Sequence, residues 1–438
     1  MAEPAPGREI SHRRVLAIAL PIVLSNATIP ILGAVDTGVV GQLGRPEPIG
    51  AVGIGAVILA SIYWIFGFLR MGTSGLVAQS HGAGDQGEAG AHLARALGIG
   101  LAAGLALMLL HVPIFAGAFR LAPASPEVEA LARQYLAIRI WGAPATIALY
   151  AITGWLIAIE RTRAVLALQL LMNGLNVGLD LWFVLGLGWG VGGVALATLI
   201  AEWSGLALGL VLARHALRAA LRRGGIWARE RLVELVRVNG DIMIRSVLLQ
   251  GAFTSFMFLG AGQGDVALAA NQVLLQFLSI VAYGLDGFAF AAESLVGQAV
   301  GARRPERLRR AVAVTSAWGV AGAALMSAVF ALAGPAIIDL LTTSAEVRAE
   351  ARLYLPWLVA APLIGIASWM LDGIFIGATR TREMRDAMLI SVGCYALLVA
   401  VLPMAFGNHG LWAALMGLNA IRGLTMWRLY PRVARAAA

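Results

Sequence analysis

Again and again along this sequence, apolar residues continue for longer than the hydrocarbon core of a bilayer is thick. A helix needs about 20 such residues to cross. Candidate spans fall at roughly 15–42, 48–74, 92–119, 128–158, 163–187, 190–214, 232–261, 266–294, 309–334, 348–377, 385–406 and 410–430. The balance of residue types agrees: 59% of the 438 residues are hydrophobic and only 13% are charged, against about 25% charged in an ordinary soluble domain. That leaves too little polar surface to cover a soluble globule, so lipid must solvate much of the chain. In lipid, backbone N–H and C=O groups have to be satisfied within each segment. The predicted fold class is therefore an all-α membrane protein with twelve transmembrane helices.

The connections between these runs sort by charge. One side receives Arg8, Arg13, Arg14, Arg95, Arg161 and Arg163, the arginines from Arg214 to Arg237 and from Arg303 to Arg310, those from Arg380 to Arg385, and the C-terminal group from Arg422 onward. The other side receives only Arg45, Arg120, Arg133, Arg348 and Arg352. This positive-inside asymmetry predicts a multi-pass protein of the bacterial inner membrane with both termini in the cytoplasm. It also accounts for the net charge of +9 without a nucleic-acid partner, which would call for a basic patch on one face. Arg13-Arg14 reads as an anchor ahead of an uncleaved first helix, because the apolar stretch that follows is long and lacks a clear small-residue cleavage site. Cys394 is the only cysteine, so no intramolecular disulfide can form, and the six histidines lack zinc-ligand spacing.

The two halves of the chain are related. Gly75-Leu76-Val77-Ala78-Gln79 through Gly82-Ala83 matches Ser294-Leu295-Val296-Gly297-Gln298 through Gly301-Ala302 at an offset of 219, and Arg161-Thr162-Arg163 matches Arg380-Thr381-Arg382 at the same offset. Tyr135 maps onto Tyr354 and Gly154 onto Gly373. The predicted organisation is an N-terminal six-helix lobe over 1–218, a cytoplasmic linker over 219–231 and a C-terminal six-helix lobe over 232–438. An even number of helices per repeat makes the repeats parallel, and such repeats usually bind substrate between lobes and alternate access by rocking.

Ionisable groups inside hydrocarbon cost at least about 2.5–3.5 kcal/mol on insertion scales, so each needs a reason. The repeat supplies a control: a polar group present in one half only is a better functional candidate than one kept in both. Asp36 in the first helix pairs with Ser255, Asn176 and Asp180 in the fifth with Tyr395 and Val399, and Thr198 in the sixth with Gly417. Asn173, Asn176 and Asp180 share one helix face by their spacing. Two buried carboxyls held close together do not both ionise easily, which makes this lobe a candidate proton site; the alternative is a static polar network pinning three helices. The second lobe carries Asp286 and Glu293 in the eighth helix and Asp372 in the tenth. These are candidates for cationic substrate or a second ion, or for pairing with Arg245 or another buried arginine. Glu202 is a further candidate, whereas Arg70 and Arg139 are long enough to snorkel. Pro21 and Pro30 interrupt the hydrogen bonding of the first helix, so protonation of Asp36 is expected to change its bend, with a fixed kink as the alternative.

Three stretches carry a family resemblance: Leu20-Pro21 with Val35-Asp36-Thr37-Gly38, Gly284-Leu285-Asp286-Gly287 through Glu293 with Gly297-Gln298, and Leu371-Asp372-Gly373 through Arg380. Over nearly its whole length the chain resembles the multidrug and toxic compound extrusion (MATE) family, in its bacterial DinF-like branch. The resemblance implies twelve helices in two six-helix lobes and export of drug-like, often cationic, small molecules in exchange for protons or sodium. It implies a proton site at Asp36, Asn176, Asp180 and Thr198 and a bending proline at Pro21. Sodium-coupled relatives pair a tenth-helix acid, here Asp372, with a seventh-helix acid, and the middle of the seventh helix here has none; Asp241 lies near its end. The expected protein is a secondary antiporter, not an enzyme. It is expected to be a monomer in the lipid bilayer with no cofactor or metal beyond its coupling ion, H+ or alternatively Na+. A lipid-linked precursor flippase of the same superfamily is the other reading. No GxxxxGK[ST] motif points to direct coupling to ATP.

Overall fold

A computed structural model describes residues 9–121, 124–223 and 225–437; Arg8, counted above among the arginines of one side, lies outside them. Among the described residues all regular structure is helical. The first ten helices are α1 (His12–Gly41), α2 (Pro46–Gly82, interrupted at Phe66), α3 (Gln86–Arg120), α4 (Pro126–Ala158), α5 (Thr162–Gly186), α6 (Gly190–Arg223), α7 (Arg229–Ala261), α8 (Asp265–Gly301), α9 (Pro305–Leu341) and α10 (Ala345–Gly377). The segment Thr381–Ala436 then contains 56 helical residues, about 84 Å at 1.5 Å per residue, far more than the roughly 30 Å of one crossing. It is two helices: Gly407 has a left-handed backbone with φ 53°, and a Cβ on Gly410 would stand 2.2 Å from the carbonyl oxygen of Leu402, so the chain doubles back. With α11 (381–406) and α12 (408–436) the predicted twelve helices are present.

Large apolar side chains stand outward along these helices. Leu109, Leu332, Leu340 and Met404 are each 84–88% exposed. Surfaces of this kind need lipid rather than water around them.

The helices gather into two compact units. One comprises Met1–Val23, His81–Gly84 and Val236–Ala438; the other comprises Leu24–Ser80 and Asp85–Leu235. The division of α1 falls at Val23–Leu24, just past Pro21. Between α6 and α7 the described residues 225–228 are outside a helix.

The 219-residue repeat governs backbone details that the sequence match does not show. Left-handed turns occur at Gly84 and Arg303, at Glu160 and Thr379, and at Gly188 and Gly407; each pair is related by the offset. Ser125 caps α4 by accepting from the Val128 N–H, and Ser344 caps α10 by accepting from the Val347 N–H, both at 3.4 Å. A Cβ on Gly154 would come within 2.3 Å of the Arg70 carbonyl oxygen, and one on Gly373 within 2.3 Å of the Ala289 carbonyl oxygen. These positions too are offset-related. Each repeat thus brings its second and fourth helices together backbone to backbone through a glycine, because only a residue without Cβ permits that approach.

Candidate functional site

In the unit that holds Leu24–Ser80 and Asp85–Leu235, the polar residues singled out on α1, α5 and α6 converge. Asp180 and Asn176 are buried, 0% and 1% exposed, and lie one turn apart on α5. Asp36 on α1 and Thr198 on α6 are half-buried. The amide orientation that satisfies every neighbour has the Asn176 nitrogen donating to Asp36 Oδ1 at 3.0 Å and to Asp180 Oδ2 at 3.2 Å, while its oxygen accepts from Thr198 Oγ1 at 3.0 Å. The Thr198 hydroxyl also lies 3.0 Å from the Val194 carbonyl, so its single proton has two acceptors. The Asp36 and Asp180 carboxyls are within hydrogen-bond reach of each other. Local geometry helps to place them: Asp180 is the last α-helical residue of α5, and Leu181–Gly186 continue as a π-turn, a wide winding often found at functional sites.

The chemistry follows from the groups. Two carboxyls in hydrogen-bond contact have one donor only if one of them holds a proton. Asn176 donates to one oxygen of each, Asp36 Oδ1 and Asp180 Oδ2, and Asp180 Oδ1 is buried without a hydrogen-bond partner. Loss of that proton leaves two like charges around one amide in a poorly solvated pocket. Asn173 does not join the cluster directly: its oxygen accepts from Gln169 at 2.9 Å, one turn back.

Glu202, one turn beyond Thr198 on α6, is held by Arg139. Two guanidinium N–H groups donate to the two carboxylate oxygens at 2.6 and 2.9 Å, and both side chains are buried. Arg139 therefore does not snorkel, and its fork matches the carboxylate as planar bidentate pairs do.

The other unit answers this cluster with different chemistry. Ser255 and Tyr395, the repeat counterparts of Asp36 and Asn176, also touch each other, with hydroxyl oxygens 3.0 Å apart. The contact is kept and the charge is gone. Asp372 pairs with Arg245 and lies 3.6 Å from Arg422, which itself donates to Ser368 at 2.8 Å. Asp241 accepts from Arg385 at 2.7 Å and from Thr381 at 3.3 Å. Asp286 is half-buried and Glu293 is buried on α8. A further buried network, which the sequence reading missed, joins Asn271 and Asn408 by two hydrogen bonds of 2.8 and 2.9 Å, each side-chain amide donating to the other's oxygen, and the indole N–H of Trp412 donates to the Asn271 oxygen at 2.8 Å. Asn271 on α8 lies 137 and 141 positions from its two partners on α12, so no local spacing signals the network. Among the described residues no group of three or more His, Cys, Asp or Glu could hold a metal ion.

Twelve lipid-facing helices in a tandem six-helix repeat, with an acidic cluster inside one repeat, define a polytopic membrane transport protein. The sequence model of the MatE family matches residues 21–182 and, a second time, residues 242–404; the chain belongs to the MatE family of transporters and is not an enzyme. It is 40% identical to DNA damage-inducible protein F of Escherichia coli strain K12 over 426 residues, covering 96% of this chain and 92% of that protein. It is 28% identical to a probable multidrug resistance protein NorM of Pseudomonas aeruginosa, covering 98% of this chain and 92% of the relative. The fold is shared with a MOP superfamily transporter from Pyrococcus furiosus, with a TM-score of 0.83 at 21% identity over 100% of this chain and 98% of the other.

Proposed function

We propose that this chain exports organic, cationic small molecules in exchange for protons, by alternating access in a bacterial inner membrane with both termini in the cytoplasm. The observation that carries this reading is the contact of Asp36 and Asp180 through Asn176, next to Thr198, in one repeat only. Proton uptake at the Asp36–Asp180 pair removes a negative charge from α1 and α5, and proton release restores it. Such a change biases two conformations of a helix, and the two prolines of α1, Pro21 and Pro30, make it the segment best able to respond. The printed name of the NorM relative supports drug-like cargo, and the excess of acids over free basic groups in the cluster favours cations. We read the protein as acting alone, as a monomer, without a bound cofactor.

A sodium site at Asp372 is disfavoured by its surroundings. Two guanidinium groups already face that carboxylate, and a third cation would meet their repulsion. A transport assay in proteoliposomes tests the proposal. A fluorescent organic cation is followed under an imposed pH gradient, with and without sodium, for the unchanged protein and Asp36→Asn. Transport on the pH gradient alone that disappears in the variant supports proton exchange. Transport that needs sodium and survives Asp36→Asn overturns it, and no cation movement under either gradient turns attention to lipid-linked cargo.

A further inference from the structure

The buried pair of Arg139 and Glu202 has no role in the proton exchange as described above, yet it stands beside the groups that carry it. Glu202 follows Thr198 by one turn of α6, so the two side chains share a face, and Thr198 meets Asn176 at 3.0 Å. Arg139 reaches Glu202 from α4 through the two bonds of 2.6 and 2.9 Å, and it is close enough to Asp36 for its charge to act there. Tyr135, one turn before Arg139, interacts with Arg139, Asp36 and Glu202 alike. Tyr63 on α2 and Tyr150 on α4 also face Glu202, and Arg70 on α2 acts on Tyr150. A tyrosine is neutral at working pH. Besides Asp180, the charge that acts on Asp36 is therefore that of Arg139, and the charge that offsets Arg139 is that of Glu202.

The repeat argues against an ion pair that only pins two helices together. Arg139 and Glu202 correspond to Leu358 and Ile421, so the second repeat builds the same helices with two apolar residues at these places. Gly142 corresponds to Ala361. A Cβ on Gly142 would overlap Glu202 Oε2, so the first repeat has a glycine where the carboxylate needs the room, and the second repeat, with no carboxylate there, has a Cβ. Arg139, Glu202 and this glycine occur in the repeat that holds Asp36, Asn176, Asp180 and Thr198. All are absent together from the repeat that holds Ser255, Tyr395, Val399 and Gly417. A cation near a titrating carboxyl favours its charged form, and an anion opposes it. An arginine keeps its charge at any working pH, and the carboxylate held against it cancels part of that charge.

We infer that Arg139 and Glu202 are positioning residues of the proton exchange: as an ion pair they fix the net charge presented to Asp36 and Asp180, and with it the pH at which those two carboxyls exchange their proton. The inference rests on the proton-exchange reading given above.

The test uses the full-length protein in proteoliposomes. Initial export of a fluorescent organic cation is measured at a fixed pH difference while the pH on both sides is stepped together, which gives a midpoint. Glu202→Gln leaves the Arg139 charge without its carboxylate and is expected to lower the midpoint by about one pH unit, roughly tenfold in proton affinity. Arg139→Gln is expected to raise it. Arg139→Leu/Glu202→Ile, which copies the second repeat, is expected to fall between the two single variants. Where a variant no longer transports, the same midpoint is read in detergent from the infrared band of the protonated carboxyl that disappears in Asp36→Asn. Midpoints that stay in place in all three variants, whatever the rates, overturn the inference, as do single variants that move in the same direction. Absence of pH-driven export in the unchanged protein, or its survival in Asp36→Asn, overturns the proton-exchange reading and this inference with it; export lost in Asp36→Asn with unmoved midpoints overturns this inference alone.

Discussion

Asp36, Asn176 and Asp180 form a unit because one amide can donate to two carboxyls at once. Replacing either acid by Asn removes a carboxyl from the pair to which the proposal assigns the exchanged proton. Asp36→Asn and Asp180→Asn are each expected to reduce pH-driven cation export to background, and the double variant should be no worse than either single one, as for groups that act together. Initial rates in proteoliposomes check this. The Arg139–Glu202 pair has a different kind of consequence. Removing one partner leaves a buried charge, so Glu202→Ala is expected to cost about 3–5 kcal/mol. Arg139→Met/Glu202→Leu, which removes both charges, should recover most of that loss in thermal unfolding. At this scale the residues that meet around Asn176 were legible as candidates, because acids in apolar runs stand out and the repeat shows which are unmatched. The partner of Glu202 was not legible, because it comes from a helix 63 positions away.

Helices in this chain stop and turn by means that recur with the repeat. Ser125→Ala and Ser344→Ala each remove one helix cap and are expected to cost about 1 kcal/mol apiece, additively, since they cap separate helices. Gly407→Ala places a Cβ in a left-handed turn and is expected to cost about 1–2 kcal/mol, read as a lower unfolding temperature. Asp85, between α2 and α3, gives a pH signature. The Glu88 backbone N–H that it accepts, with Arg223 beside it, holds its carboxyl below the usual range. A carboxyl lowered in the folded state adds stability above its unfolded value near 3.9, and that stability is lost as the pH falls through the lower folded value. Asp85→Asn is therefore expected to lower stability at neutral pH and to flatten its fall on acidification below pH 4, measured by thermal unfolding across pH. Twelve elements were readable because hydrophobic length is a local property. The break at Gly407 was placed correctly between runs 385–406 and 410–430.

The whole molecule is a duplicated six-helix design in which one copy keeps acids and the other keeps the same contact without them. That asymmetry makes a prediction about energy coupling. At a fixed pH gradient, replacing sodium by potassium on both sides should leave the rate of cation export unchanged, while collapsing the pH gradient with a proton carrier should stop it. A sodium dependence at constant pH gradient would point to the acids of α8 and α10 instead. Vesicle assays with a pH dye and a cation dye read in parallel distinguish the two.

The amino-acid sequence by itself determined the membrane class, the number of helices, the repeat and the short set of acids worth testing, all of which rest on composition, periodicity and spacing along the chain. The tertiary structure alone decided which acids meet one another and which meet arginines. Asp36 reached Asp180, whereas Asp372 went to Arg245 and Arg422 and Glu202 to Arg139. The same apolar helices are compatible with many pairings, and a buried charge is settled by whichever partner the packing of distant helices brings within hydrogen-bond distance.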